Sequence, residues 1–394
     1  MENPDRPYAG DALRLQQVED TVAELARHAG PPTSAAVVGA GVMGGGIACQ
    51  CAASGIPVVL KDIARSKIDA ALAACASTTA RSGPPPHGGR DSPDSILERI
   101  RASTSYGDIF RVDFVIEAVA EQPRLKAVVL AEIEAAVGGD AVIGTNTSTL
   151  SVSGLARGLQ RPERFCGLHF FNPVQQMMLV EIVRGELTSD GTIARAAAFA
   201  AALKKKPIVV RDCPGFLVNR LLFRYFLAFA ALLSEGARVE AVDAAMRAFG
   251  WPMGPGQLLD IIGLDVIGHS AAVLGAAYPD RMAMHPGGPF DALFGAGRLG
   301  RKSGSGFYRY LADAGGRLRP EPDDAVYALF ERQSARAGRL PEWKIIERMM
   351  LPMCEEAARC LQEGVVASAA ALDFGMIYGA GFPRARGALL TCLG

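Results

Sequence analysis

The chain has no excess of either charge. Its 394 residues include 41 lysines and arginines and 41 aspartates and glutamates, so the formal net charge is zero. Without a net charge the protein has no long-range field that attracts nucleic acid or an anionic membrane, and we expect neither as a partner. An anionic ligand must then be held by local features, such as the N-terminus of a helix.

Three further features are missing. No uninterrupted apolar run approaches the roughly 20 residues of a membrane-spanning helix, and the N-terminus lacks the basic and apolar segments of a signal peptide. The eight cysteines form no C-x-x-C pair, and no cluster of His and Cys has the spacing of metal ligands, so we expect no metal. These absences predict a cytoplasmic protein with reduced, buried thiols and no membrane insertion.

Short apolar runs alternate with helical patterns in the first half of the chain. After an amphipathic helix at 11–28, strand patterns occur at 35–38, 57–62, 114–119, 141–146, 165–171, 178–183 and 207–212. This alternation favours an α/β fold with a doubly wound, mainly parallel sheet. Residues 81–94 are rich in Gly and Pro and predict an exposed loop. After Pro214 and Gly215 the strand patterns stop, and an all-α domain is expected.

The end of the chain repeats the first helical segment. Aligning Arg220 with Arg348 places Gly236 opposite Gly364. Small insertions then align Asp243 with Asp373, and GWP at 250–252 with GFP at 381–383. We infer an internal duplication, in which the second copy packs against the first.

A glycine-rich turn follows the first strand. Residues 39–44 read GAGVMG, a G-x-G-x-x-G pattern, and the predicted cofactor-binding residues are Gly39, Gly41, Val42, Met43 and Gly44. Such glycines let the backbone approach a pyrophosphate at the N-terminus of the next helix. Asp62 ends the following strand, where its carboxylate would bind the ribose hydroxyls and repel a 2′-phosphate, so we predict NAD rather than NADP. A glycine-rich packing turn without a ligand is the disfavoured alternative.

His169 lies in an apolar strand pattern, and Glu181 lies in the next one. If these strands are adjacent and antiparallel, the carboxylate stands beside the imidazole, fixes its tautomer and stabilises the imidazolium. The alternative is a core histidine bonded to the backbone, with Glu181 in solvent. Taken alone, the strand pattern favours that alternative.

A set of motifs favours the paired His169 and Glu181 over the core histidine. GAGVMGGGIA, EAVAEQPRLK, TNTSTL, GLHFFNPV, LVEIVRG and CPGFLVNR occur in this order, followed by FGWPMGP, LLDIIGLDV and GRKSGSGFYRY. Together they resemble the 3-hydroxyacyl-CoA dehydrogenase family. The leader helix, the KD at 61–62 and GAGFPRARG resemble more specifically the dehydrogenase half of the multifunctional fatty-acid β-oxidation enzymes, over roughly residues 12–394. Those enzymes carry a hydratase region first and extend further, so we expect no hydratase activity and an incomplete second copy.

The resemblance implies a domain organisation and a reaction. The expected parts are a leader helix and linker at 1–32, a Rossmann-type NAD-binding domain at 33–212, a helical domain at 213–311, a linker at 312–342 and a second helical copy at 343–394. The implied reaction interconverts (S)-3-hydroxyacyl-CoA and 3-oxoacyl-CoA in lipid metabolism, with NAD as the cofactor. The sequence does not specify the acyl chain length.

The resemblance also implies roles for individual residues. His169 is the implied general base, Glu181 its charge partner and Ser148 a hydrogen-bond donor to the reacting oxygen. Asn172 is implied to shape the pocket, Asn219 to hold the acyl group, and Glu121 and Lys126 to face the nicotinamide-ribose region. For Asn219, Glu121 and Lys126, a purely structural role is the alternative.

Two other functions remain open from the sequence. One is a related NAD-dependent hydroxy-acid or carnitine-type dehydrogenase, and the other is a catalytically silent NAD-binding protein similar to the dehydrogenase-like lens crystallins. The expected partner is an acyl-CoA thioester, with a thiolase or a hydratase as a further candidate. The chain is expected to be a monomer or a homodimer. Because residues 343–394 are expected to occupy the surface through which two-domain relatives pair, the drive to dimerise should be weak.

Overall fold

The computed structural model describes residues 9–82, 92–330 and 340–393. The chain divides into two compact units. The first, here called the sheet unit, comprises Leu13–Phe216 together with Val365–Ala367. Leu217–Gly364 and Ser368–Gly394 form most of the second, here called the helical unit.

The sheet unit is built around an eight-stranded sheet with the strand order β3-β2-β1-β4-β5-β6-β7-β8. The strands are β1 Ala35–Val38, β2 Val58–Lys61, β3 Ile100–Ser103, β4 Phe114–Glu117, β5 Val142–Thr145, β6 Phe165–Phe170, β7 Leu179–Arg184 and β8 Lys206–Arg211. Neighbouring strands are parallel except for β6 and β7, which are antiparallel. The strand order reverses between β1 and β4, which is where ligands bind in open α/β sheets.

Helices connect and flank these strands. They are α1 Ala9–Arg27, α2 Val42–Ala53, α3 Arg65–Ser82, α4 Pro93–Glu98, α5 Pro123–Ala136, α6 Val152–Ala156 and α7 Asp190–Ala202. Every residue of β1, β2, β4 and β5 is buried, as expected for a parallel sheet that is covered on both faces. The predicted doubly wound, mainly parallel sheet is therefore confirmed.

Two parts of this unit differ from the strand and loop predictions. The edge strand β3 was not predicted, because its sequence IRAS mixes buried residues with the exposed Arg101. The loop predicted at 81–94 lies mostly outside the described residues, which stop at Ser82 and resume at Ser92.

A disulfide joins α2 and α3 through Cys49 and Cys75, whose Cα atoms are 5.6 Å apart. The prediction that the cysteines are reduced is wrong for this pair. The two thiols are 26 positions apart in sequence, and only the side-by-side packing of α2 and α3 brings them within bonding geometry. The other six cysteines are present as thiols: Cys51, Cys166, Cys213, Cys354, Cys360 and Cys392.

The helical unit contains α8 Val218–Ser234, α9 Val239–Phe249, α10 Pro255–Ile262, α11 Leu264–Ala277, α12 Pro289–Gly295, α13 Glu342–Gln362 and α14 Ala369–Ala380. It confirms the predicted helical domain and second helical segment. A small antiparallel hairpin, β9 Arg309–Ala312 with β10 Leu318–Glu321, was missed. Its strands are mostly exposed and show no apolar alternation, and its turn depends on the Asp313 carboxylate, which accepts hydrogen bonds from two backbone N–H groups.

The two copies in the helical unit make reciprocal contacts. Arg220 of α8 pairs with Glu363 at 2.7 Å, and the aligned Arg348 of α13 pairs with the aligned Glu235. The glycines that end α9 and α14 also make reciprocal contacts with the aligned prolines. A Cβ on Gly250 would meet Pro383, and a Cβ on Gly381 would meet Pro252. Contacts in which i meets j and j meets i are the pattern of a twofold interface. The duplication is therefore packed as an internal pseudo-dimer.

Among the described residues, no single helix has both the length and the apolar composition to cross a membrane. The bent pair α10 and α11, which meet at 96°, reaches both criteria only when the two helices are taken together.

Candidate active site

The antiparallel pairing of β6 and β7 places His169 directly opposite Glu181. The distance from His169 Nδ1 to Glu181 Oε2 is 2.7 Å, and both side chains are buried. A carboxylate at this distance accepts a hydrogen bond from Nδ1–H, which selects the tautomer that carries its proton there. Nε2 is then the ring nitrogen at which a proton is taken up or released.

Aromatic rings constrain the orientation of this imidazole. The ring of Phe171 lies 4.5 Å from that of His169, and the ring of Phe216 lies 5.7 Å from it, both tilted. Neighbouring rings of this kind limit rotation of the side chain and lower the local dielectric constant, which strengthens the interaction with Glu181. The arrangement differs from a core histidine bonded only to the backbone.

Ser148 lies in the loop that follows β5. Glu121 organises this loop, because its Oε1 accepts hydrogen bonds from the Thr147 hydroxyl at 2.5 Å and from the Ser148 N–H at 2.9 Å. Burial raises the pKa of Glu121, but the Lys126 ammonium and these donors outweigh it and lower the pKa below its ordinary value. Glu121 therefore acts as a fixed anion that holds the backbone of Ser148.

Lys126, which the family resemblance places toward the cofactor, is completely buried within the sheet unit. Its Nζ donates to both oxygens of Glu117 at 2.8 and 3.0 Å and lies 3.3 Å from Glu121 Oε2. The Thr145 hydroxyl also donates to Glu117, at 2.6 Å. Sequence reasoning missed Glu117 and Thr145. The available signal was a carboxylate within the apolar run FVIEAV, which requires a buried partner.

Asn146 links this network to the strand of His169. Its side-chain Oδ1 accepts a hydrogen bond from the backbone N–H of Phe170, the residue after His169, at 3.0 Å. Its own N–H donates to the backbone carbonyl of Glu117 at 2.8 Å. Asn146 was also missed, although it stands two residues before Ser148 in the TNTSTL motif.

The glycine turn fits a dinucleotide. Gly39 has a φ of +108°, and a Cβ on Gly44 would lie 1.8 Å from the carbonyl oxygen of Gly39, so neither position accepts a side chain. A Cβ on Gly41 would meet no atom of the described residues within 4 Å, which leaves space over the turn. The helix α2 starts at Val42, and its N-cap residue Gly41 provides no side-chain cap, so the N–H groups of its first turn can bind an anion. Val42 itself is exposed, Met43 is half-buried, and the turn can receive a pyrophosphate.

Asp62 is held at the end of β2. Its Oδ2 accepts a hydrogen bond from Ala40 N at 2.8 Å, and its Oδ1 accepts one from Ala64 N at 3.0 Å. These bonds fix the carboxylate beside the glycine turn. Because each oxygen has a second lone pair, ribose hydroxyls can still donate to it.

A cavity of about 450 Å³ adjoins the glycine turn, and Lys67, Asn172 and Gln175 contribute to its wall. Asn172 precedes a cis peptide bond to Pro173. The loop that follows is held by Lys205, whose Nζ donates to the carbonyl oxygens of Val174 and Met177. Burial lowers the pKa of Lys205 to about 8.

Asn219 lies in the first turn of α8, in the helical unit. The aligned position in the second copy is Glu347 of α13, which pairs with Lys344. The second copy therefore does not repeat this candidate site residue.

Comparisons with known proteins agree with the fold. Residues 34–213 match the family described as 3-hydroxyacyl-CoA dehydrogenase, NAD binding domain, and residues 215–310 match 3-hydroxyacyl-CoA dehydrogenase, C-terminal domain. The (S)-3-hydroxybutyryl-CoA dehydrogenase from Ralstonia eutropha is 40% identical, with an alignment that covers 71% of this chain and 99% of that one and a TM-score of 0.66.

Two further structures extend the match. The 3-hydroxybutyryl-CoA dehydrogenase from Escherichia coli K12 is 26% identical, with 89% of each chain covered and a TM-score of 0.73. The dehydrogenase part of a multifunctional enzyme from C. elegans shares the fold at 24% identity, with 99% of this chain and 89% of that one covered and a TM-score of 0.65. The chain belongs to the 3-hydroxyacyl-CoA dehydrogenase family and is an NAD-dependent dehydrogenase.

Proposed function

We propose that the protein interconverts (S)-3-hydroxyacyl-CoA and 3-oxoacyl-CoA, with His169 as general base and acid and Glu181 as its charge partner. The observation that carries this proposal is the buried contact of 2.7 Å between His169 Nδ1 and Glu181 Oε2. It lies in the same unit as the glycine turn. Oxidation of a secondary alcohol requires a base for the hydroxyl proton, and NAD supplies the acceptor for the hydride.

The proton transfer follows from the geometry of the pair. His169 takes the hydroxyl proton at Nε2, and the imidazolium that forms is stabilised by the Glu181 carboxylate. The pair carries one negative charge before this step and none after it, so proton uptake relieves the cost of a buried carboxylate. In the reverse direction the same nitrogen returns the proton to the oxygen. A base placed in this way contributes about 10²- to 10⁴-fold to the rate.

Other residues are proposed to hold the substrate. The hydroxyl of Ser148 donates to the reacting oxygen, while Glu121 fixes the backbone that carries it. Asn172 shapes the cavity beside the glycine turn, which we propose receives part of the thioester. Asn219 is proposed to hold the acyl group.

The test compares the rates at which acetoacetyl-CoA and free acetoacetate oxidise NADH. Each rate is measured as the decrease in the near-ultraviolet absorbance of NADH. We expect turnover of the thioester and at least about 100-fold lower kcat/KM for the free acid, because the acid lacks the binding contribution of the CoA portion. Equal rates with the free acid would support a hydroxy-acid dehydrogenase instead. Intact NADH binding without turnover of either compound would support a catalytically silent protein.

We further propose a cytoplasmic enzyme of fatty-acid β-oxidation that is monomeric, because the reciprocal pairs of the helical unit satisfy within one chain the contacts of a twofold interface. Sedimentation should show a single species of monomer mass. A tight dimer would contradict this part of the proposal. The domain boundaries at 32, 212, 311 and 342, and association with a thiolase or hydratase, remain predictions.

A further inference from the structure

A buried polar network connects to the loop that carries Ser148. Its centre is Glu117, a fully buried carboxylate at the end of β4. Glu117 accepts hydrogen bonds from Val119 N at 2.7 Å, from the Thr145 hydroxyl at 2.6 Å and from Lys126 Nζ at 2.8 and 3.0 Å. An ionised carboxylate without access to solvent is stable only with such a set of donors.

The ammonium of Lys126 contacts two carboxylates. Besides Glu117, it contacts Oε2 of Glu121 at 3.3 Å. The other oxygen of Glu121, Oε1, is the one that accepts hydrogen bonds from Thr147 and Ser148. The two oxygens of Glu121 thus have separate partners, and Lys126 keeps Oε1 turned toward the loop.

A second connection runs through the backbone. Thr145, which donates to the Glu117 carboxylate, is the last residue of β5 before the loop. The next residue, Asn146, donates its N–H to the carbonyl of Glu117 and accepts a hydrogen bond from Phe170 N beside His169. The network therefore holds the start of the loop as well as its middle.

We propose that Glu117 is a positioning residue that fixes the loop 146–150, and with it Ser148, through Lys126 and Glu121. The proposal rests on the proposed function, in which Ser148 contacts the reacting oxygen. Loss of the charge on Glu117 leaves the Lys126 ammonium without the nearer of its two anionic partners. The ammonium is then drawn to Glu121 and competes with the loop donors for the oxygens of that carboxylate, so that Ser148 shifts while the surrounding sheet persists.

The first arm of the test needs no substrate. Glu117→Gln is compared with Glu134→Gln, because Glu134 lies on the same helix as Lys126 and is a buried carboxylate that accepts two backbone N–H groups at 2.8 Å each. Hydrogen exchange of the amides in 146–150 should become at least about 10-fold faster in Glu117→Gln and stay unchanged in Glu134→Gln. Unchanged exchange in Glu117→Gln, or an equal increase in both variants, would overturn the proposal.

The second arm measures turnover of acetoacetyl-CoA. Glu117→Gln should lower kcat by about 100-fold, the cost of a displacement of about 1 Å in a catalytic group, while the Kd for NADH changes by less than about 3-fold. Adding Lys126→Met should lower kcat by less than the product of the two single effects, because the residues act as one unit. Multiplicative effects, or a kcat within about 3-fold of wild type, would contradict a positioning role.

Thr145→Val keeps the proposal testable if Glu117→Gln does not fold. It removes one hydroxyl donor from Glu117 without changing the charge, and we expect a kcat about 10-fold lower, as for the loss of one hydrogen bond to a charged group. An unaltered kcat in a folded Thr145→Val protein would overturn the proposal. If the wild-type protein does not turn over acetoacetyl-CoA, the proposed function fails, and the exchange experiment still decides the role of Glu117.

Discussion

Glu181→Gln tests how much the carboxylate contributes to proton transfer at His169. The substitution keeps the shape of the side chain and an acceptor for Nδ1–H, but it removes the negative charge that faces the imidazolium. With Nδ1 and Oε2 at 2.7 Å, the centres of charge lie about 4 Å apart. Unit charges at this distance attract each other by about 4 kcal/mol at an effective dielectric constant of 20.

The retained hydrogen bond offsets part of this loss, because a neutral amide still contributes about 1 kcal/mol as an acceptor. We therefore expect the barrier of the proton-transfer step to rise by about 2–4 kcal/mol, which lowers kcat by about 30- to 900-fold. The binding of NADH should change little, since the glycine turn and Asp62 are untouched.

Initial rates of NADH oxidation by acetoacetyl-CoA measure this effect, and the quenching of protein fluorescence measures the binding of NADH. Glu134→Gln is the matched control, because it neutralises another buried carboxylate of the sheet unit that has no contact with His169. Its kcat should equal that of the wild type. If Glu181→Gln also retained a wild-type kcat, the charge of Glu181 would have no part in the reaction.

Three further predictions concern stability and the pocket. Without reductant, Cys75→Ser should lower the free energy of unfolding by up to about 3.5 kcal/mol, the chain-entropy value for a loop closed over 26 residues. When a dithiol reduces the bond in the wild type, most of the difference in unfolding free energy between the two proteins should disappear. In denaturant titrations, the stability of wild type relative to Asp243→Asn should fall by up to about 3 kcal/mol as pH rises from 3.8 through about 6, because burial raises the pKa of Asp243 to about 6. This contribution is fully present below the unfolded value of 3.8 and is lost above the folded value. Lys205→Met should cost about 1–3 kcal/mol and raise KM for acetoacetyl-CoA, because the carbonyl oxygens of Val174 and Met177 lose a donor beside the cavity wall.

Each of these has a clear contrary result. An equal stability difference with and without the dithiol would show that the bond contributes nothing beyond the packing of its sulfur atoms. A pH-independent difference between wild type and Asp243→Asn would show that the carboxyl group titrates alike in the folded and unfolded states. An unaltered KM in Lys205→Met would separate the loop from substrate binding.

The sheet was predictable from sequence because its central strands are buried on both faces. Such strands appear as short apolar runs, and β1, β2, β4 and β5 were all located in this way. The edge strand β3 and the hairpin β9–β10 carry no such pattern, since β3 is partly exposed and most side chains of the hairpin are exposed. A strand is recognisable from sequence when its side chains are buried, and the side chains of these elements are buried less than those of the central strands.

The contact between His169 and Glu181 was predictable for a different reason. Two apolar runs separated by an Asn-Pro turn suggest adjacent antiparallel strands, and the motif resemblance supplied the expectation that the two residues face each other. The Cys49–Cys75 bond gave no comparable signal, and the apolar run around Glu117 indicated that it has a buried partner without identifying Lys126. Both pairings depend on how a helix packs against its neighbours, and periodicity identifies a helix without specifying its rotation or its partner.

The central claim is that an imidazole at position 169 moves the substrate proton. The most direct test is kcat for acetoacetyl-CoA in His169→Ala, measured together with the Kd for NADH. We predict a decrease in kcat of at least about 10²- to 10⁴-fold, with the Kd for NADH within about 3-fold of wild type. A His169→Ala protein that binds NADH and reduces acetoacetyl-CoA at the wild-type rate would contradict the mechanism.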